Sequence, residues 1–324
     1  MSLVSVVVPA YRASRDIADA LSSVFGQTVT DIEVTVVNDG SPDTLNLERS
    51  LEPFARHIRY LVQPNRGAAA ARNLGIRHSA GRYVAFLDAD DVWQPDFLSR
   101  QLAYLEAHPT CGLVYADAAI TGESPLAGHR FMEHAPSEGR ATLARLIRQQ
   151  CNVLLSTVVV TREALSAAGL FDETLRRGHD FDLWLRLALR GVDIEFQPLV
   201  LAERRARADG LSGDRCTELE RALTVLDKFG RRHDLPDTEA GLLAIRTTEL
   251  RDALEIERAR RRLCDGEFEA ARGHLERATA LSFKHRVALA ALRVAPSVVR
   301  WVYCALYPAD GQTARAPELP PAWN

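Results

Sequence analysis

The chain has 324 residues, 47% of them hydrophobic and 26% charged, with a formal net charge of −3. That is the composition of a soluble globular protein with apolar material for a large core, either one large domain with an addition or two domains. The charge balance gives no reason to expect a whole-molecule nucleic-acid binder, and no run of ~18 uncharged apolar residues is present to span a bilayer. Five cysteines (Cys111, Cys151, Cys216, Cys264 and Cys304) include no Cys-x-x-Cys pair. They fit a reducing compartment and mark no zinc site. The opening MSLVSVVVPAYRAS has no basic segment before its short apolar run, so it reads as a buried strand, not a secretory signal. The expected location is the cytoplasm.

In chain order, strands are predicted over 4–9, 32–39, 58–62, 82–88 and 112–118, and amphipathic helices over 17–26, 44–55, 67–79 and 95–108. Val/Ile-rich strands alternating with helices indicate an α/β fold with a mainly parallel sheet covered on both faces. A looser stretch follows: helix 141–149, strand 156–161, helix 163–168, then GLFDETLRRGHDFDLWLRLALRG at 169–191 and a strand-like segment to 203. Residues 217–307 are rich in Ala, Leu, Arg and Glu and read as helices, and GEFEAARGHLERATAL at 266–281 has helical-hairpin spacing. The predicted division is 1–215, a helical region 216–308, and a Pro-rich tail 309–324 with the composition of a disordered segment.

Ligands of such sheets bind beyond the carboxyl ends of the strands. There the sequence places Pro9-Ala10-Tyr11, Asp39-Gly40-Ser41 and Asp88-Ala89-Asp90-Asp91. Three acids in four positions repel one another unless a cation offsets them, and hard oxygen ligands suit Mg²⁺ or Mn²⁺ shared with a substrate diphosphate. The competing reading makes Asp90 or Asp91 the cap of the helix that starts near Pro95. Asp39 either closes a turn onto Gly40-Ser41 or accepts hydrogen bonds from a base or ribose. NRGAAAARNLG at 65–75 is a small-residue helix able to pack closely on the sheet, with Arg66 and Arg72 as cations near the diphosphate edge.

SVVVPAYR, VVNDGSPDT, NRGAAAARNLGI, GRYVAFLDADD and FDETLRRGHDFDLWLRLALRG, in that order, strongly resemble the family-2 inverting glycosyltransferases with the GT-A fold. The resemblance covers about 1–205. It implies metal-aided transfer of a sugar from a nucleotide-diphosphate donor, most commonly UDP, to an acceptor hydroxyl. It places Pro9, Tyr11, Asp39, Arg72 and Asp88 around the donor nucleotide, Asp88 and Asp90 in the Asp-x-Asp signature with Asp90 as the direct metal ligand, and Asp180 as the catalytic base. Where the family usually has Glu-Asp, this chain has His179-Asp180. Arg66, Asp91, His179, Arg205 and Arg207 are further candidates for diphosphate or acceptor contact, and Arg204 belongs to the same basic loop. The Gln-x-x-Arg-Trp signature of processive members is absent, which favours a single addition.

The chemistry asks independently for one carboxylate to take the acceptor's proton, while a metal neutralises the leaving diphosphate. Asp182 sits four residues before Arg186 and is better explained as its ion pair. His179 is the stronger rival base. Trp184 lies in a buried-helix pattern. Two other functions fit parts of the sequence: a catalytically decayed nucleotide-sugar-binding scaffold, and a sugar-nucleotide pyrophosphorylase, which should carry a Gly-rich loop where this chain has Pro9-Ala10-Tyr11-Arg12-Ala13-Ser14. In the last segment Arg286, Arg293 and Arg300 recur every seven residues, so on one helix they form a stripe, with Pro296 kinking that helix or starting a new one. This is either a packing helix or an interfacial one, with Trp301, Tyr303 and Tyr307 at headgroup depth over 285–307, placing the protein on the cytoplasmic membrane face. A lipid-linked or carbohydrate acceptor is the expected partner.

Overall fold

The Val-rich opening segment forms β1 (Val4–Ala10), and the helix after it, α1 (Ile17–Phe25), buries Ile17, Leu21 and Val24. The computed structural model describes residues 3–137, 139–206 and 215–306. They fall into two compact units, 1–210 and 211–324.

In the first unit the chain continues through β2 (Ile32–Asp39), α2 (Thr44–Leu51), β3 (Ile58–Gln63), α3 (Ala68–Arg77), β4 (Tyr83–Phe86), β5 (Val92–Trp93) and α4 (Phe97–Ala107). Then come β6 (Cys111–Gly122), α5 (Phe131–His134), α6 (Leu143–Ile147), β7 (Val159–Thr161), α7 (Arg162–Ala168), α8 (His179–Leu189) and β8 (Asp193–Ala206). One sheet has the order β3-β2-β1-β4-β7-β6-β8-β5. β3, β2, β1 and β4 run parallel, and so do β6 and β8, whereas β7 is antiparallel to β4 and β6, and β5 to β8. Because β1 pairs with both β2 and β4, the carboxyl ends of all three open onto one edge, where the strand order reverses.

Both faces of β1 are covered, which is why it reads as an unbroken apolar run. Val4, Val6 and Val8 enter the core shared with α1 and α4. On the other side Val7 meets α3. A Cβ on Gly75 would stand 2.5 Å from Val7 Cγ1, so the small residues of α3 serve a close helix–sheet approach.

Two predicted strands are shorter than their hydrophobic runs. The strand expected over 82–88 spans only 83–86, and the one expected over 156–161 begins at 159 after a 3₁₀ turn, Leu155–Thr157. In that turn side chains replace the ladder: the Thr157 hydroxyl donates to Ala116 O (2.9 Å) and accepts from Ala116 N (3.2 Å). The two-residue β5 is held by pairing of Val92 with Glu203 and of Trp93 with Ala202, a tertiary contact invisible to local pattern.

The second unit contains α9 (Arg215–Arg232), α10 (Asp237–Cys264), α11 (Phe268–Arg277), α12 (Phe283–Ala291) and α13 (Pro296–Leu306), as the helix-rich composition predicts. Ala259, Leu263, Ala271, Leu275, Ala288, Leu292 and Val299 form its core. Pro296 starts a new helix. Arg286 and Arg300 therefore stand on different helices, and the seven-residue arginine stripe is not continuous. No helix among the described residues is long and apolar enough to cross a membrane.

Candidate functional site

The turn after β1 is tied to the turn after β2. Arg12, at φ 54°, donates its N–H to the Ser41 hydroxyl (2.6 Å), which in turn donates to Asp43. Tyr11 projects beside this link, 45% exposed, with the Arg12 guanidinium over its ring, and Pro9 is half-buried. In VVNDGSPDT it is Asn38, not Asp39, whose side chain closes the turn: its Oδ1 accepts from Ser41 N at 2.8 Å. Gly40 sits at φ 62°, where a Cβ would lie 2.6 Å from Asn65 N, so the turn requires glycine. Asp39 is thereby aimed at the start of α3. It accepts from Gln63 Nε2 (2.7 Å), Arg66 N (2.9 Å) and Gly67 N (2.8 Å). Three of roughly four lone-pair positions are filled, which leaves one on Oδ2.

Beyond β4, Asp91 N donates to Asp88 O (3.0 Å), and this tight turn carries the acids. Asp88 keeps its side chain 40% exposed, and Arg72, buried on α3, donates to its Oδ1. Asp90 is half-buried at the tip. Asp91 is buried and does not cap the helix. The N-cap of α4 is Asp96, which makes no side-chain cap bond. Asp91 instead accepts from the Ser156 hydroxyl (2.5 Å) and from Arg205 N (3.1 Å), tying the acidic turn to β8. Burial, followed by the charges of Asp88 and Asp90, pushes its carboxyl up to about 8. The turn thus offers Asp88 Oδ2 and the Asp90 carboxylate as hard oxygen donors, a set that suits Mg²⁺ or Mn²⁺. Ser156 is the residue sequence reasoning missed here. Besides Asp91, its hydroxyl accepts from Asp88 N (3.3 Å), and its carbonyl accepts from Trp93 Nε1 (2.6 Å). A lone serine in a predicted strand gives no signal of this.

The start of α8 reaches the same place. His179 is buried, and its Nε2 lies 2.7 Å from Arg72 Nη1. A guanidinium can only donate, so the Nε2 lone pair accepts and the ring carries its proton on Nδ1. That contact engages the Nε2 lone pair with Arg72. Phe171 packs edge-on against His179 (5.6 Å) with the Arg72 guanidinium over its ring (5.8 Å). Asp182 forms the expected pair: Arg186 Nε donates to it at 2.8 Å while also holding the carbonyls of Ala168 and Leu170. Asp180 differs from both. It is half-buried in the first turn of α8, and among the described residues its carboxylate accepts no hydrogen bond. Trp184 is 2% exposed and belongs to the core.

The remaining cations are engaged elsewhere. Arg66 pairs with Glu173 (2.7 Å), and Arg205 donates to Asp19 (2.8 Å). Arg204 stacks over Phe131 (5.4 Å). Arg207 lies outside the described residues.

Residues 5–162 match the model of glycosyl transferase family 2. The first unit thus carries a glycosyl transferase family 2 domain. An uncharacterized glycosyltransferase of Rickettsia felis is 31% identical over 196 residues, 59% of this chain and 32% of that protein. The chain thus spans about a third of the length of that relative. A UDP-Glc:alpha-D-GlcNAc-diphosphoundecaprenol beta-1,3-glucosyltransferase of Escherichia coli, WfgD, is 28% identical over 70% of this chain and 86% of its own. Two solved structures share the fold. One is Staphylococcus aureus TarS in complex with UDP, with TM-score 0.59, 17% identity, and 94% and 91% coverage of the two chains. The other is a mannosyltransferase of Pyrobaculum calidifontis in complex with GDP-Man and Mn²⁺, with TM-score 0.61, 20% identity, and 94% and 86% coverage. The first unit therefore has the GT-A fold, followed by a helical region.

Proposed function

We propose that the chain is an inverting, metal-dependent glycosyltransferase that moves one sugar from a nucleotide-diphosphate donor, a UDP-sugar, to an acceptor hydroxyl in polysaccharide or glycolipid synthesis. The observation that carries this reading is the state of the carboxylates at the sheet edge. Asp88, Asp91 and Asp182 each hold a protein partner, and among the described residues Asp180 has none. A general base needs a lone pair available to the substrate. In the reaction the acceptor oxygen bonds to the anomeric carbon as the bond to the diphosphate oxygen breaks. The acceptor proton passes to Asp180, and the nucleoside diphosphate departs with the electron pair.

Tyr11, Pro9 and Asp39 border the nucleotide side, and Arg72 fixes Asp88 by donating to it. Asp88 and Asp90 would hold the divalent cation, which when bound supplies neutralisation of the leaving diphosphate. The Mn²⁺ of the mannosyltransferase complex and the UDP of the TarS complex support the cation and the donor class. The diphosphoundecaprenol in the name of WfgD supports a lipid-linked acceptor.

The test is release of nucleoside diphosphate from a panel of nucleotide sugars with Mn²⁺, Mg²⁺ or a chelator. Turnover of a UDP-sugar that the chelator and Asp90→Asn both abolish supports the reading. Binding without turnover under every condition would leave a nucleotide-sugar-binding scaffold instead.

A further inference from the structure

We infer that α12 and α13 form a docking surface for the face of an anionic phospholipid bilayer. On α12, Ala288 is buried and turns toward the core of its unit, while Phe283 (83% exposed) and Val287 (51%) stand on the opposite side at 3.6 residues per turn. On α13 the inward residue is Val299, and Val298 (53%) and Val302 are exposed one turn apart. Val294, between the helices, is 86% exposed. Single exposed apolar side chains are ordinary, but four on two consecutive helices, with Val294 between them, are a surface in want of an apolar environment.

Charge names that environment. From Arg277 to Ala309 the sequence holds no acid and five cations (Arg277, Lys284, Arg286, Arg293 and Arg300) in a chain whose net charge is −3. Arg286 and Arg293 line a groove of about 500 Å³ against the turn Ala278–Leu281. That turn is anchored from below by buried Asp252, which accepts from Thr279 N (2.7 Å) and Ala280 N (2.9 Å). Arg293 reaches Glu276 at only 3.4 Å on the exposed surface, a pairing that a phosphate can displace at little cost. Guanidinium groups beside an apolar stripe match lipid phosphates above acyl chains. A second copy of the same face would set like charges against each other across a two-fold contact. The residues that carry the surface are Phe283 and the valines. Trp301 and Tyr303 are half-buried, and Tyr307 lies outside the described residues.

The surface does not depend on the transfer chemistry, so it is tested apart from it, by flotation of the full chain with vesicles. Phosphatidylcholine vesicles containing phosphatidylglycerol should carry the protein up, pure phosphatidylcholine should not, and salt should release it. Arg286→Gln with Arg293→Gln should lower the partition about thirtyfold, at ~1 kcal/mol per cation. Phe283→Ser with Val287→Ser and Val298→Ser should abolish flotation with little change in the thermal unfolding midpoint, because Phe283 stands mostly in water and the two valines about half. Absence of flotation, equal flotation of wild type and variants, or equal binding to neutral vesicles would overturn the inference. So would a concentration-dependent dimer that the serine substitutions dissolve in the absence of lipid binding.

Discussion

Arg72 donates to Asp88 from one terminal nitrogen and to His179 Nε2 from the other, the latter at 2.7 Å. Through this one guanidinium, α3 sets the acidic turn after β4 and the first turn of α8 at fixed positions. His179→Ala would leave a buried donor without its acceptor, at a cost of ~1–3 kcal/mol, measurable by denaturant unfolding. Because the Nε2 lone pair is already engaged, the acid limb of the pH–rate profile should survive the substitution. Loss of that limb would reassign the base to His179.

Asp182 and Arg186 are buried together, with side chains 5% and 12% exposed. Asp182→Asn removes one charge of the pair and leaves the other in a poorly solvated place, for which ~3–5 kcal/mol is the expected loss of stability. The thermal unfolding midpoint should drop sharply, and any residual folded enzyme should keep its pH profile.

Gly75→Ala sets two effects against each other. Helix propensity gains ~1 kcal/mol, but the new methyl would stand 2.5 Å from Val7 Cγ1 and 3.4 Å from Cγ2. Val7 is fully buried on a central strand and cannot swing away, so overpacking of ~1–3 kcal/mol should win. Donor affinity, read by titration calorimetry, should weaken as well, because Arg72 rides on the same helix.

Glu33 clasps the start of β2 to the turn before β4, accepting from the Ser5 hydroxyl (2.8 Å) and from Gly81 N (2.9 Å). Burial raises its carboxyl, but the bonds from Ala80, Ser5 and Gly81 outweigh that, and the group lies below the ordinary glutamate range. A depressed folded value means that its stabilisation is complete above the unfolded value and is lost as pH falls through the folded one. The unfolding midpoint should therefore fall on acidification below about pH 4.3, the ordinary glutamate value. Glu33→Gln should lower the neutral-pH midpoint and flatten that fall.

Much of the site was legible because parallel strands deliver their last residues to one edge, and Asp39, Asp88, Asp90 and Asp180 follow recognisable segments. The roles within those segments were less legible. Asn38 and Asp39 are neighbours of similar chemistry, and only the positive φ at Gly40 and the approach of Asn65 decide which one closes the turn. Ser156 bonds to Asp91 across 65 positions, and β7 runs antiparallel between strands that local pattern cannot order. The pairing of Asp182 with Arg186 was readable because it is local, at helical spacing. That of Arg72 with His179 was not, because 107 positions separate them.

The central claim is that Asp180 is the proton acceptor, and the direct measurement is kcat/KM for sugar transfer by Asp180→Asn beside the donor Kd of the same protein. The account predicts a fall of ~10²–10⁴-fold in kcat/KM, with donor binding and the unfolding midpoint unchanged, since Asp180 has no partner among the described residues. Transfer within a few fold of wild type would contradict it.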